Sequence, residues 1–215
     1  MPIILVANPK GGVGKSTIAA NLAGFFANTG RRTMLGDLDQ QQSATEWLKL
    51  RPAGLPAIGS WNIDQRGVAR PPNGATHLVI DAPAGVKGRK LQGILQAADC
   101  VIVPLQASMF DINATRDFLS GLFDNGLSRQ RSQVGLLGMR IDTRTRAAEQ
   151  LARFVTSLGL PVLGHLRDTQ NYVHLAAHGL TLWDVSPIRV EKDLQQWLPI
   201  LRWIEAVTQR MPAAA

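Results

Sequence analysis

Thiols, secretory features and long apolar runs are scarce in this chain of 215 residues. Its single cysteine, Cys100, cannot form an intramolecular disulfide, and an iron–sulfur cluster would need several thiolates. No window reaches the roughly 18 apolar residues of a membrane span, and the N-terminal MPIILVANPK lacks the basic flank and the cleavage site of a secretory signal. We therefore expect a cytoplasmic protein in which Cys100 is a buried, inert thiol of the run CVIVPL.

Acidic residues are outnumbered by basic ones, 16 against 23, which gives a formal net charge of +7. Such a charge predicts attraction to polyanions, namely DNA, RNA or an anionic membrane surface. Solubility alone can also explain it, because a net charge does not tell where the charges cluster. The class of function therefore has to come from motifs.

Apolar stretches alternate with helical ones along the chain. Six apolar runs predict strands: PIILVAN, RTMLGDLD, THLVIDAP, DCVIVPL, QVGLLGMRID and LPVLGHL. Helical spacing follows most of them, as in STIAANLAGFFANTG, which ends at Gly30. Continuous apolar strands separated by helices favour a sheet that is buried on both faces. We predict an α/β fold with a mostly parallel twisted sheet and helices on both of its faces.

We expect this fold to form one domain over residues 1–215. Prolines and glycines interrupt the alternation in residues 51–76, which predicts an irregular surface connection that could hold a short strand at AIGSW. The last helix is predicted from about Val190 to Met211, and the tail 212–215 is predicted to fray.

The first predicted strand leads into NPKGGVGKST, residues 8–17. In a strand, glycine loop and helix, backbone N–H groups and the positive end of the helix dipole converge on one spot, which suits a chain of phosphates. Glycines permit the close approach and the positive φ angles that such a loop needs. Lys15 would then reach the β- and γ-phosphates of a nucleotide, and the Ser16 hydroxyl would bind Mg²⁺. The usual pattern G-x-x-x-x-G-K-[ST] has glycine where this chain has Pro9, so the strict match fails by one residue.

An additional lysine, Lys10, stands five residues before Lys15. The segment KGGVGKST closely resembles the deviant Walker A motif of the ParA/MinD family of ATPases. The resemblance implies a P-loop NTPase fold, ATP and Mg²⁺ as cofactors, and a Lys10 that crosses a dimer interface to the nucleotide of the other subunit. There it would act like an arginine finger supplied in trans. The implied nucleotide-binding residues are Lys10, Gly11, Gly12, Val13, Gly14, Lys15, Ser16 and Thr17.

Two further segments support the resemblance. LGDLDQQQSATEWL resembles the family's D-x-D-P-Q motif, and HLVIDAPAG resembles its Walker B strand. By this likeness Asp39 orients or activates the attacking water, Asp37 lies close to the metal shell, and Asp81 holds Mg²⁺ through a water. Gln40 replaces the proline of the motif, which removes no reacting group. The implied catalytic residues are Lys10, Lys15 and Asp39, and the implied metal-site residues are Ser16, Asp37 and Asp81.

The likeness continues through VIVPLQASMFDINAT and GMRIDTRTRAAEQLA to LRDTQNYVHLAAHGLTLWDV, and it covers nearly the whole chain except residues 51–76. In the family, the strand of the second of these segments commonly offers an asparagine or an arginine to the nucleotide base. This chain has Met139 and Arg140 there. Arg140 is therefore predicted to stack on the base or to hydrogen-bond with it.

Features that the chain lacks separate the branches of the family. One cysteine argues against the members that bridge an iron–sulfur cluster. The helix DLQQWLPILRWIEAVTQRM carries an apolar stripe, but its charges cancel, so we expect it to dock on the core or on a partner. The stripe consists of Trp197, Leu198, Leu201, Ile204 and Val207. A MinD-like membrane helix would have a basic face. The chain begins at its first strand, which argues against an N-terminal helix-turn-helix domain. A small ParA-type partition or positioning ATPase remains.

This branch implies a concrete function. Its members dimerise with ATP, bind DNA without sequence specificity, associate with the nucleoid, and are released when a ParB-like or cargo-linked adaptor stimulates slow ATP hydrolysis. The cargo is a plasmid or chromosome locus, or a protein assembly such as a microcompartment or a chemoreceptor cluster. The candidate DNA-binding residues are Arg144, Arg146, Arg153, Arg167, Arg189, Lys192, Arg202 and Arg210.

Three alternatives stay open on sequence grounds. One is a membrane-associated, MinD-like spatial regulator, which lipid binding by the last helix would reveal. Another is a small-molecule ATP-dependent ligase on the same scaffold. The third is a module that binds nucleotide without turnover, against which the retention of Lys10, Lys15, Asp39 and Asp81 speaks.

Overall fold

The computed structural model describes residues 1–39, 42–61, 73–85, 88–124 and 133–209. The strands are β1 Ile3–Val6, β2 Thr33–Asp37, β3 Ile58–Trp61, β4 His77–Asp81, β5 Cys100–Leu105, β6 Val134–Met139 and β7 Val162–Leu166. The α-helices are α1 Lys15–Asn28, α2 Ser43–Lys49, α3 Gly88–Ala97, α4 Met109–Asp124, α5 Arg146–Ser157, α6 Gln170–Ala176 and α7 Pro187–Gln209. A 3₁₀ turn, Leu182–Asp184, precedes α7.

The seven strands form one sheet in the order β3-β2-β4-β1-β5-β6-β7, and each neighbouring pair is parallel. All six predicted strand runs are confirmed, and AIGSW holds β3. Because the strands are parallel, their carboxyl ends lie at one edge, where loops of α/β sheets place ligands. The register puts Asp81 of β4 beside Val6 of β1 and Asp37 of β2 at that edge.

Helices cover both faces of the sheet, as predicted. In β1, Ile4 and Val6 belong to the core layer that includes α1, α2 and α7, whereas Leu5 belongs to the layer that includes α4 and α5. This alternation follows from the period of two in a strand. Cys100 is buried in the first layer, and burial raises the pKa of its thiol, as expected of an inert cysteine.

The connection after α2 and the final helix differ in detail from the prediction. The Arg51 side chain is buried in a bidentate ion pair with Asp184, at 2.8 and 2.9 Å, so the start of the predicted surface connection is anchored to the 3₁₀ turn. Residues 62–72 of that connection lie outside the described residues. The final helix begins at Pro187 and has non-helical angles at Val190. Its predicted end at Met211 and the tail 212–215 lie outside the described part.

The final helix docks on the core, which is one of the two fates predicted for its apolar stripe. Trp197, Ile200 and Ile204 are buried in the layer with α1. Leu198 of the predicted stripe is 46% exposed instead, because the buried face runs through Ile200. Within the described ranges, no helix combines the length and the apolar character that crossing a membrane requires.

Candidate functional site

The loop between β1 and α1 depends on two glycines with left-handed backbone angles. Gly12 has φ +73° and Gly14 has φ +97°. Gly14 is the N-cap of α1 and has no side chain, so the first-turn N–H groups of the helix face the loop. A Cβ on Gly11 or Gly12 would meet no atom within 4 Å, which leaves open space above the loop. A Cβ on Gly14 would lie 2.7 Å from Met139 Cε. The loop thus presents an open cradle of backbone donors, as an anion site requires.

Asn8 braces the start of this loop, a role that was not predicted from the sequence. Its Nδ2 donates to the Pro104 carbonyl at 2.7 Å and to Thr115 Oγ1 at 3.2 Å. Its Oδ1 accepts the Lys10 backbone N–H at 2.8 Å. An asparagine directly after a buried strand is the sequence signal for such a turn. The loop is thereby fixed to β5 and α4.

Lys15 lies inside the loop rather than on the surface. It is 7% exposed, and its Nζ donates to the Lys10 carbonyl at 2.6 Å. Burial lowers the pKa of its ammonium, and the charges of Asp81 and Asp39 oppose that shift. An ammonium in this position can exchange the carbonyl for a phosphate oxygen, which is the stronger acceptor.

Asp81 carries an acceptor atom that the described protein groups leave unused. The residue is 2% exposed, and its Oδ1 is buried without a hydrogen-bond partner in the described part of the chain. Burial raises the pKa of this carboxyl to about 7, although a hydrogen bond from the Ser16 hydroxyl acts in the opposite direction. Mg²⁺ prefers oxygen ligands, and this site offers the Ser16 hydroxyl and the orphaned Asp81 oxygen beside a loop that would hold phosphate oxygens. The residues therefore fit a magnesium ion.

Asp37 lies beside Asp81, and its charge contributes to the raised pKa of that carboxyl. Its own oxygens hold the next turn: Oδ1 accepts the Asp39 N–H at 2.9 Å, and Oδ2 accepts the N–H groups of Ala44 and Thr45 at 2.8 and 3.1 Å. Asp37 thus positions Asp39 and caps the N-terminus of α2. Gln40, the departure from the motif, lies outside the described residues.

Lys10 forms an ion pair with an aspartate of its own chain. Its Nζ lies 3.2 Å from Asp111 Oδ1 and 6.0 Å from the centre of the Phe110 ring. Asp111 is buried and accepts a hydrogen bond from the Ser108 hydroxyl. Beside this pair, Met109 and Phe110 are 60% and 80% exposed. Asp111 was not predicted, because nothing in the local pattern of SMFD indicates a partner for Lys10.

A cavity of about 290 Å³ opens next to the loop. Gly14 and Thr17 line it from the loop side, and the predicted base-contact residue Arg140 lines it together with Met139. Arg140 is exposed and has φ +53°, a left-handed conformation that is uncommon outside glycine. The remaining wall was not predicted as part of the site: Arg167, Asp168, Thr169, Tyr172, Val173 and Ala176.

Five of the eight candidate DNA-binding residues lie on two helices at opposite faces of the sheet, whereas Arg144 and Arg167 lie in loops. Arg146 and Arg153 lie on α5, and Arg189, Lys192 and Arg202 lie on α7, which packs on β7, the edge strand. Three candidates have carboxylate partners: Arg144 with Asp142, Arg153 with Glu149, and Arg167 with Asp193. Arg210 lies outside the described residues.

The chain is similar to known nucleotide-binding and partition proteins over most of its length. The sequence model of the family described as CobQ/CobB/MinD/ParA nucleotide binding domain matches residues 4–182. The chain is 30% identical over 183 residues to the chromosome-partitioning ATPase Soj of Thermus thermophilus, with 69% of this chain and 73% of Soj covered. It is 28% identical over 185 residues to the maintenance of carboxysome distribution protein A of Gloeobacter kilaueensis, with 84% and 83% covered. The structure of cobyrinic acid a,c-diamide synthase from Mycobacterium smegmatis, with bound ADP and magnesium, matches it with a TM-score of 0.63 and 25% identity, over 82% of this chain and 93% of that one.

Proposed function

This chain belongs to the CobQ/CobB/MinD/ParA nucleotide-binding family and is related to its partition and positioning ATPases, and from this premise we propose that it is a slow, dimerising ATPase that positions a cargo on DNA. One domain over residues 1–215 carries this function. The single observation that carries the proposal is the glycine loop with Lys15 inside it and the unused Asp81 oxygen next to it.

The loop and its neighbours account for binding of ATP with magnesium. Backbone N–H groups of residues 10–17 and the Lys15 ammonium would hold the β- and γ-phosphates. Ser16 and Asp81 would hold the ion, and Asp37 would lie close to the metal shell. The ion, when bound, neutralises phosphate charge and orients the γ-phosphate. Arg140 and Met139 would face the base in the adjoining cavity.

The protein's own part in hydrolysis is to orient a water and to supply positive charge. Asp39 is fixed by the hydrogen bond from its backbone to Asp37 and lies close enough to Lys15 to affect the pKa of that lysine. Its carboxylate would orient the attacking water in line with the γ-phosphate. Lys10 would leave Asp111 and add charge at the nucleotide of the second subunit in the ATP-bound homodimer.

DNA binding would use the exposed cations on the two helices that flank the β7 edge. Arg146 of α5 and Arg189, Lys192 and Arg202 of α7 are exposed. Contacts from arginine and lysine to phosphates carry no sequence information, and they weaken as salt rises. Association with the nucleoid and release by a ParB-like or cargo-linked adaptor complete the proposal.

The first experiment is binding to nonspecific double-stranded DNA with ATP, with ADP and without nucleotide, across a salt series. Binding that requires ATP and falls steeply with salt is expected. A matched pair of variants separates the surfaces: Arg202→Ala should weaken DNA binding, whereas Lys49→Ala, which removes an exposed cation of α2, should not. Absence of DNA binding in every nucleotide state would remove DNA as the track, and binding to anionic vesicles would then favour a MinD-like regulator.

The likeness to a diamide synthase favours one second candidate, an ATP-dependent amide-forming ligase. Such an enzyme hydrolyses ATP only when a carboxylic acid substrate accepts the phosphoryl group. ATP turnover that DNA and adaptor leave unchanged, but that a carboxylic acid together with an amine donor stimulates, would support the ligase.

A further inference from the structure

A buried carboxylate of α7 holds one arginine at the wall of the cavity. The Asp193 side chain is fully buried, and it accepts Arg167 Nε at 2.6 Å and Arg167 Nη2 at 3.2 Å. Asn171 Nδ2 also donates to it at 2.6 Å. A carboxylate that is shielded from solvent needs such hydrogen-bond donors, because an unpaired buried charge strongly destabilises the fold. The Arg167 guanidinium is therefore held in one orientation.

The backbone at Arg167 is fixed to the same helix. Its N–H donates to Gln196 Oε1 at 3.0 Å, one turn along α7 from Asp193. The guanidinium carries five N–H donors, and the pair with Asp193 uses two of its nitrogens. The side chain is 40% exposed and lines the cavity. It therefore keeps donors for a group that enters the cavity while it stays paired.

The same helix also fixes a second part of the wall. Trp197 Nε1 donates to the Tyr172 hydroxyl at 3.0 Å, and both Tyr172 and Arg167 line the cavity. Gly14 of the phosphate loop and Thr17 of the first turn of α1 line the same cavity. A molecule with a flat acceptor-bearing ring joined to phosphates could therefore contact both the loop and this wall.

We propose that Arg167 donates hydrogen bonds to the purine ring of the bound nucleotide and that Asp193 is the residue that positions it. This inference rests on the proposed function, because it takes the loop as the phosphate site. It replaces the assignment of Arg167 to DNA binding. An arginine whose charge is neutralised by a buried carboxylate gains little from an exposed DNA phosphate, whereas a fixed donor loses little freedom on meeting a base.

The experiment compares a ligand with a base and a ligand without one. Affinity for ATP, read by a fluorescent ATP analogue, and affinity for magnesium tripolyphosphate, read by competition, are measured for Arg167→Ala, Arg167→Lys and Asp193→Asn. Loss of a charge-assisted hydrogen bond should weaken ATP binding about tenfold in all three variants. Lysine should not rescue, because an ammonium cannot keep the two-point pairing with Asp193. Tripolyphosphate should bind as in the wild type, and Lys49→Ala should change neither affinity.

The outcomes separate this inference from the proposed function. Unchanged ATP affinity in Arg167→Ala would overturn the inference, and so would an equal loss of both ligands, since that is what a merely structural role predicts. Loss of DNA binding with ATP affinity unchanged would return Arg167 to the DNA surface. A wild-type protein that binds neither ligand would instead refute the phosphate site itself. If Asp193→Asn fails to fold, the two Arg167 variants decide.

Discussion

The ion pair between Lys10 and Asp111 links the phosphate loop to α4 of the same chain. Asp111 is buried and Lys10 is half-exposed, and their charged atoms are 3.2 Å apart. In the proposed dimer, Lys10 must leave Asp111 to reach the nucleotide of the other subunit. The free energy of this pair in the monomer therefore opposes dimerisation. Asp111→Asn keeps the shape of the side chain and an acceptor for Ser108, and it should strengthen the dimer.

The magnitude follows from the distance and the exposure. Two unit charges this far apart attract by about 5 kcal/mol at an effective dielectric constant of about 20. Solvent at Lys10 screens this attraction, and the lysine side chain loses rotamer freedom, which leaves about 1 kcal/mol for a pair of this exposure. A symmetric dimer breaks two such pairs, so about 2 kcal/mol is at stake. The dimer dissociation constant of Asp111→Asn should be about thirtyfold lower.

Sedimentation velocity with a non-hydrolysable ATP analogue measures that constant. The wild type, Asp111→Asn, Lys10→Ala and the double variant form a cycle that isolates the pair. The gain from Asp111→Asn should vanish in the Lys10→Ala background, because no pair is left to break. A dimer of Asp111→Asn that is no tighter than the wild type, or a gain that persists without Lys10, would refute the reasoning.

Three further predictions follow from the geometry. Lys15→Ala should abolish ATP binding and with it ATP-dependent dimerisation, since the loop loses its buried ammonium; retained binding in a fluorescence titration would contradict this. Asp39→Ala should bind ATP and accumulate as a dimer, and phosphate release at the wild-type rate would show that its role is misassigned. Burial, then the charge of Arg31, lower the pKa of His77 from 6.5 to about 4, so its contribution to stability is complete above about pH 6.5 and is lost as the pH falls towards 4. For this partly buried ring, screening leaves about 1–2 kcal/mol, and urea unfolding of His77→Phe should show a smaller loss between pH 7 and pH 5 than the wild type.

The sheet was predictable because its signals are local. Each strand is a short apolar run that ends in turn residues, and burial on both faces leaves little room for polar positions. The start of the connection after α2 was not predictable in the same way. The sequence around Arg51 predicts a surface residue, and its partner Asp184 lies 133 residues later in the chain.

The phosphate loop was predictable for the same reason, since ten consecutive residues carry it. The carboxylates Asp37 and Asp81 could be placed because strand ends of a parallel sheet share one edge. What sequence did not disclose is each side chain's partner. Asn8 contacts Thr115, Lys10 contacts Asp111, and Arg167 contacts Asp193, and each contact depends on how a helix packs on the sheet. From sequence alone a charged residue is therefore predicted to lie on the surface, because its counterion becomes visible only in the packed structure.

The partners of three cations around the site differ in a way that orders the proposed events. Lys15 holds a neutral carbonyl, which a phosphate oxygen replaces without separating two charges. Arg167 keeps donors beyond its ion pair, so a base can bind while that pair stays intact. Lys10 is paired with the carboxylate of Asp111, and moving Lys10 away separates opposite charges unless a stronger anion is within its reach. Nucleotide can therefore bind to the monomer first, and Lys10 changes partners only when the second subunit brings its own nucleotide.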